Sequence, residues 1–330
     1  MSKSKEIPLV SVCVITYNQA EYIGQAIESV LSQDVKFDIE VVIGDDCSTD
    51  DTRKILDKIK LENPETIELN YLSTKGAGIP GKENFISTYN KCRGKYIAFI
   101  DGDDYWTDPH KLIKQVKFME EHPEYSMCHH KCKISKDFES NVKIKAHFDK
   151  ETDFYNAAQI NPAFHSSVMI RRESVDKYDM NYWIGDIFMG DWPLWVLATL
   201  NSKAFCLDEE MGVYRDSSEG LSSNIRYDEH LRSRIKFYKR LLELEDIDKK
   251  FLYKIISRFY LLEASNNLSS KEFNHFASSL QNGIVYFFKG LNPGKKYEWV
   301  NRYKMIRIIN NLFIGALNFI KPKRVSLKAA

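Results

Sequence analysis

Asp101, Asp103 and Asp104 close the apolar run Tyr96-Ile-Ala-Phe-Ile100, with Gly102 among them and Tyr105-Trp106 behind. Carboxylates crowded this way repel: a pair about 4 Å apart costs roughly 1 kcal/mol in water and about 4 kcal/mol at an effective dielectric of 20. A fold keeps such a cluster most easily around a cation. All-oxygen donors suit a hard divalent ion, Mg2+ or Mn2+, which leaves positions open for phosphate oxygens. Gly102 permits a tight turn and a close approach of backbone to a ligand. A solvated Asp-Gly turn has the same composition, so this stretch alone leaves both readings open.

The elements around it are strands and helices in alternation. Tyr96 to Ile100 is apolar and β-prone over strand length, as is Leu9 to Ile15, and runs of that kind suit strands buried on both faces. The spacing predicts helices over Glu21 to Ser32, Arg53 to Leu61, Glu83 to Cys92 and Pro109 to Glu121, and further strands over Ile39 to Ile43 and Ile67 to Leu72. Ser48-Thr49-Asp50 offers a cap for the second helix. Such alternation through the first 120 residues predicts an α/β domain with a mostly parallel sheet flanked by helices. Three of its strands end in polar loops: Thr16-Tyr17-Asn18, Asp45-Asp46 and Asp101 to Asp104. Ligands of open α/β sheets bind beyond the carboxyl ends of the strands, so one site built from all three loops is the economical expectation.

Further along, Met127 to Ile134, Ser166 to Ile170, Ala204 to Leu207 and Met211 to Tyr214 read as strands, and Pro193 to Leu200 as a helix. Beyond Ser223 glycine becomes rare and helical spacing dominates, which divides the chain into 1–223 and a helical region, 224–330. The 47 basic and 46 acidic residues nearly cancel, so no global field favours nucleic acid. Six scattered cysteines frame no disulfide scaffold. With no apolar signal core before Leu9 and no apolar run of about 18 residues, a cytoplasmic protein without a membrane span is expected. Cys128-His129-His130-Lys131-Cys132 matches no common zinc module and reads as a strand.

Val12-Cys-Val-Ile-Thr-Tyr-Asn18, Val41-Val-Ile-Gly-Asp-Asp-Cys-Ser-Thr-Asp-Asp-Thr52 and Tyr96 to Trp106 together resemble the family-2 glycosyltransferases of GT-A fold, over about residues 8 to 220. The resemblance implies an inverting, metal-dependent enzyme that moves a sugar from a nucleotide-sugar, a UDP-sugar by preference, onto the hydroxyl of a saccharide or lipid-linked acceptor in bacterial surface polysaccharide or glycolipid assembly. It implies that Thr16, Tyr17 and Asn18 hold the nucleotide, with Tyr17 against the base. Asp46, beside Asp45, accepts from the ring edge. Asp103 contacts the ribose, Asp103 or Asp104 ligates Mn2+ or Mg2+, and Asp101 supports them. Asp191, in Gly190-Asp-Trp-Pro-Leu-Trp195, stands where the family places its general base, and Asp186 is the fallback. Asp191 also precedes Pro193 by two residues, which suits a helix N-cap. Trp192 and Trp195 suit either an acceptor border or core packing. Tyr214-Arg215 resembles a family element that is often followed by a histidine two residues on; Ser217 stands there in this chain.

An apolar strand ending Asp-Gly-Asp also suits a phosphatase of the haloacid-dehalogenase type, although that motif then belongs on the first strand. A non-catalytic nucleotide-sugar-binding protein is the other alternative. The last helical stretch, about Tyr303 to Ile320, is flanked by Arg302, Lys304, Arg307, Lys321, Lys323, Arg324 and Lys328. A basic amphipathic helix of this kind suits the surface of an anionic membrane, at roughly 1 kcal/mol per basic residue, or packing of its apolar stripe onto the domain. Truncation after about Asn301 is expected to reduce co-sedimentation with anionic liposomes; unchanged sedimentation would favour the packing.

Overall fold

The computed structural model describes residues 6–74, 79–136, 139–142, 150–188, 191–216, 226–270 and 272–291. It divides into two compact units, Met1–Ile225 and Arg226–Ala330. The last helical stretch and Ser217 lie outside the described residues.

In the first unit, strands and helices alternate as β1 (Val10–Thr16), α1 (Ile23–Leu31), β2 (Ile39–Asp45), α2 (Thr52–Glu62), β3 (Ile67–Tyr71), α3 (Lys82–Lys91) and β4 (Tyr96–Asp101). The short β5 (Tyr105–Trp106) and α4 (Lys111–Glu121) follow, then β6 (Tyr125–Lys136), β7 (Glu139–Val142), β8 (Glu151–Asp153) and α5 (Phe154–Ala157). β9 (Met169–Arg171), α6 (Met180–Ile184), α7 (Asp191–Ala198) and β10 (Lys203–Asp216) complete it. One sheet runs in the order β3-β2-β1-β4-β9-β6-β10-β5, with β7 beside β6 and β8 beside β10. β3, β2, β1 and β4 are parallel, as are β6 and β10, and β9 runs against both its neighbours.

The continuous apolar runs follow from burial on both faces. Val12 and Val14 of β1 and Ala98 and Ile100 of β4 pack with Ile23, Ile27 and Val30 of α1, Leu56 of α2, and Leu112 and Val116 of α4. On the opposite face Phe99 meets Phe85 of α3 at 6.2 Å and Trp195 of α7 at 5.1 Å between ring centroids.

Two expected strands come out differently. At Ser166 the chain first makes a 3-10 turn, His165–Ser167, because the Ser167 N–H and hydroxyl both donate to the Phe164 carbonyl, at 3.0 and 2.7 Å. Such local bonds compete with the ladder, and β9 starts only at Met169. Ala204 to Leu207 and Met211 to Tyr214 belong to one strand, β10, whose register against β6 shifts between Leu207 and Gly212. The acidic residues that interrupt its apolar pattern sit in this bulge, where Lys131 pairs with Asp208 and Lys114 with Glu209.

The second unit contains α8 (Tyr227–Leu241), α9 (Lys249–Ser269) and α10 (Phe273–Lys289). Leu261 and Ala264 of α9 pack on Leu280 of α10, and the Ser257 hydroxyl donates to the Gly283 carbonyl at 2.7 Å. No helix of the described residues is long and apolar enough to cross a membrane.

His129 and His130 of β6 are fully buried. Burial holds both imidazoles below their usual range, His129 down to about 4. The unfolded chain, with histidines near pKa 6.5, therefore binds the extra protons. The stability of the neutral form is present above about pH 6.5 and lost as pH falls toward 4. Unfolding free energy is expected to drop by roughly 1 kcal/mol per pH unit and per histidine across that window. Denaturant titrations at pH 7, 6 and 5 measure this, and His129→Leu should flatten part of the slope.

Candidate active site

The ladders set Thr16 opposite Asp45 and Ile15 opposite Asp101, so the three polar loops leave the sheet at one edge. Backbone bonds tie them at the tips: Asp46 N–H donates to the Thr16 carbonyl at 3.0 Å and Gly102 N–H to that of Ile15 at 2.9 Å. Gly102 is a glycine because the tips touch, since a Cβ there would stand 2.8 Å from the Thr16 Cβ and 2.5 Å from Gln19 Oε1.

Asn18, at φ 52, occupies the left-handed region that asparagine tolerates. Its N–H donates to Ser48 Oγ at 2.8 Å, and its Oδ1 accepts from the Thr49 N–H at 2.8 Å. Asp50 accepts from the N–H groups of Ala20 and Thr52, both at 3.0 Å. These bonds stitch the first loop to the second and present Thr16 and Tyr17 from a fixed backbone.

The two acids of the second loop differ. Asp45 is fully buried; its Oδ1 accepts from the Ser48 N–H at 3.0 Å and pairs with Arg53. The Arg53 guanidinium also donates to the Leu72 carbonyl at 2.6 Å and lies over the Tyr71 ring. Asp46 is 4% exposed; its Oδ2 accepts from the Gly81 N–H at 3.2 Å, and its Oδ1 has no hydrogen-bond partner among the described residues. Asp45 is therefore tied into the frame through Oδ1, although its Oδ2, like Asp46 Oδ1, has no hydrogen-bond partner among the described residues; what separates the two acids is the ion pair of Asp45 with Arg53.

A similar division runs through the third loop. Asp104 is fully buried, with one oxygen accepting from the Ser166 hydroxyl and the other from the Arg215 N–H at 2.8 Å. Burial, followed by the charges of Asp101 and Asp103, pushes its carboxyl well above the usual range. With both oxygens used inside the protein, Asp104 is a support for the loop. Asp103 is held up at about 6 by burial and by Asp101, with Arg215 and a hydrogen bond from Gln19 acting in the opposite direction. The Arg215 guanidinium also donates to the Asp103 carbonyl and, at 2.6 Å, to Gln25 Oε1, and it packs over Tyr105 and Tyr22. Asp101 meets His165 Nδ1 at 3.0 Å. Burial pulls that imidazole down, but the Asp101 carboxylate outweighs it and, with Asp191, holds His165 at about 9, so it is cationic at neutral pH.

Asp191 opens α7. Its Oδ1 accepts from the N–H of the next residue, Trp192, at 2.7 Å, and its Oδ2 accepts from Asn161 Nδ2 at 3.1 Å. Lys82 and His165 both feel its charge. Trp192 and Trp195 are fully buried: Trp192 Nε1 donates to the Ala157 carbonyl at 2.8 Å, and Trp195 packs between Phe99 and His165.

Among the described residues no three His, Cys, Asp or Glu side chains form a ready-made metal cage, at the acidic loop or along Cys128, His130 and Cys132. Mg2+ and Mn2+ sites need none when one or two carboxylates act with the phosphates of a substrate. Asp101 and Asp103 fit that description. Their mutual repulsion in a poorly solvated place, visible in the raised pKa of Asp103, is what a divalent cation relieves.

Sequence reasoning missed His165, Ser166, Arg53 and Lys82. Nothing local reveals that one 3-10 turn delivers His165 to Asp101 and Ser166 to Asp104.

The family model described as Glycosyl transferase family 2 matches residues 11–179. An uncharacterized protein of Mycobacterium tuberculosis is 34% identical over 218 residues, 64% of this chain and 60% of that protein. WfaP of Escherichia coli, a UDP-Glc:alpha-D-GlcNAc-diphosphoundecaprenol beta-1,3-glucosyltransferase, is 44% identical over 112 residues, 34% of this chain and 41% of WfaP. The chain thus spans at most 60% of the length of these relatives. The crystal structure of Staphylococcus aureus TarS in complex with UDP-GlcNAc superposes with a TM-score of 0.65 at 22% identity, covering 84% of this chain and 81% of that one. A mannosyltransferase of Pyrobaculum calidifontis in complex with GDP-Man and Mn2+ gives 0.53 at 16% identity, covering 95% and 87%. These likenesses show the GT-A fold, and the family match removes the phosphatase alternative. An α/β sheet with three stitched loops at one edge, matched by that model over half its length, belongs to a glycosyltransferase of family 2.

Proposed function

We propose that this glycosyltransferase moves a sugar from a UDP-sugar to an acceptor hydroxyl with inversion at the anomeric carbon, and that it serves bacterial surface polysaccharide or glycolipid assembly. The observation that carries the reading is the division of labour among the acids. Asp45 is ion-paired with Arg53 and Asp104 has both oxygens bonded inside the frame, while Asp46 Oδ1 and the Asp101–Asp103 pair remain for a ligand at the same sheet edge. The names of relatives agree in chemistry: WfaP takes UDP-Glc and a diphosphoundecaprenol acceptor, and TarS has been crystallised with UDP and with UDP-GlcNAc.

In this reading Tyr17 lies against the base and Asp46 Oδ1 accepts from a ring N–H. Thr16 and Asn18 shape that pocket, and Asp103 contacts the ribose side. Asp101 and Asp103 hold the divalent ion, which supplies charge neutralisation on the departing diphosphate. Asp191 takes the proton of the acceptor hydroxyl as its oxygen attacks the anomeric carbon. The bond from that carbon to the diphosphate oxygen breaks on the opposite face, which inverts the configuration. Asn161 orients Asp191 for this step. Contact of the basic C-terminal segment with anionic lipid belongs to the same proposal and would bring the enzyme to a lipid-linked acceptor.

Asp191→Asn is expected to lower turnover about a hundred- to ten-thousandfold while leaving donor binding nearly intact; equal loss of both would sink its role as base. Excess chelator should abolish UDP release from a panel of UDP-sugars, and Mn2+ or Mg2+ should restore it. Full activity in chelator would remove the metal from the reading.

A further inference from the structure

Lys82 is a buried charge that the frame fixes without a hydrogen-bond partner, whereas the equally unbonded Lys111 Nζ lies 3.7 Å over the Trp106 ring. Its side chain is 6% exposed, and Nζ has no hydrogen-bond acceptor among the described residues. A buried ammonium left unpartnered is strongly disfavoured, so its retention calls for a compensating ligand. The charges of Asp191 and Asp186 support the ammonium against burial, which brings it down to about 8, yet neither carboxylate reaches hydrogen-bond distance.

The backbone around Lys82 is held on both sides. Gly81, at φ 73, takes a left-handed conformation and donates its N–H to Asp46 Oδ2 at 3.2 Å. Asn84 Nδ2 donates to the Gly44 carbonyl at 3.0 Å, which pins the first turn of α3 to the end of β2. Lys82 therefore follows directly on the residue that touches the proposed base-reading acid. The carboxylates acting on it are those of Asp191 and Asp186, not those of Asp101 and Asp103. The amine thus feels the proposed base, Asp191, while its backbone neighbour Gly81 bonds Asp46.

We infer that Lys82 Nζ donates hydrogen bonds to hydroxyl oxygens of the sugar being transferred, and that it makes the enzyme selective for an uncharged sugar over a uronic acid. The inference rests on the donor reading above. His165, the other cation near Asp191, is held by Asp101, and Asp191 and Asp186 already balance the Lys82 ammonium, so a sugar carboxylate would add an unbalanced negative charge.

The test compares binding of UDP, UDP-glucose, UDP-N-acetylglucosamine and UDP-glucuronate to the full chain and to Lys82→Met, by calorimetry at constant Mn2+. The variant should bind UDP like the parent, which also reports an intact fold. It should bind the preferred neutral UDP-sugar about ten- to hundredfold more weakly, the loss expected for a hydrogen bond to a charged group. Lys82→Gln, which keeps a donor, should recover part of that loss. Equal weakening of UDP and UDP-sugar, no weakening of either, or a preference of the parent for UDP-glucuronate would each overturn the inference. A parent protein that binds no UDP compound would overturn the donor reading itself, and the inference with it.

Discussion

Parallel pairing of β1 with β2 on one side and β4 on the other is the constraint from which the rest follows. Because Thr16 stands opposite Asp45 and Ile15 opposite Asp101, the acidic loops must emerge together. Parallel ladders bring the same strand ends to the same edge, and helices on both faces leave that edge as the open crevice. Side-chain chemistry is then placed by main-chain hydrogen bonds, which are harder to displace than loop contacts.

Concentrating acids at one edge carries an electrostatic cost, and the fold meets it selectively. Arg53 neutralises Asp45, His165 sits on Asp101, and Arg215 spans Asp103 and Asp104 through its backbone and its guanidinium. Each counter-charge comes from a different part of the chain, so the cluster also knits distant segments. The residual imbalance falls on Asp46, Asp103 and Lys82, whose buried or raised states have no full compensation within the described residues. Buried polar groups in folded proteins are nearly always satisfied, so Asp46 and Lys82, which lie on either side of Gly81 through its bond to Asp46, suit ligand contacts.

The alternation of strand and helix was legible because apolar runs of strand length and helical spacing are local signals. So were the three loop acids, because strand ends are visible as abrupt changes from apolar to acidic residues. Which acid does what was not legible. Asp45 and Asp46 are adjacent and of one type, and only the distant Arg53 and Gly81 separate an ion-paired acid from one that accepts from a backbone N–H. Asp103 and Asp104 are divided in the same way by Ser166 and Arg215, residues 62 and 111 positions beyond Asp104. Ser166 was misread as strand because the hydroxyl bond of Ser167 that curls this segment depends on a backbone geometry absent from residue patterns. The two apolar runs of β10 were read apart because the three acids between them, Asp208 to Glu210, look like a turn until lysines of other elements meet them.

That interruption has a consequence for how the chain can change. The outer half of β10 is joined to the half bearing Arg215 through a register shift between Leu207 and Gly212. A bulge already accommodates a residue that the partner strand does not match, so a residue gained or lost there changes the size of the bulge and leaves Arg215 where it was. The outer rim of the sheet is thereby free to drift in length over evolutionary time, while the arginine that steadies the acidic loop keeps its address.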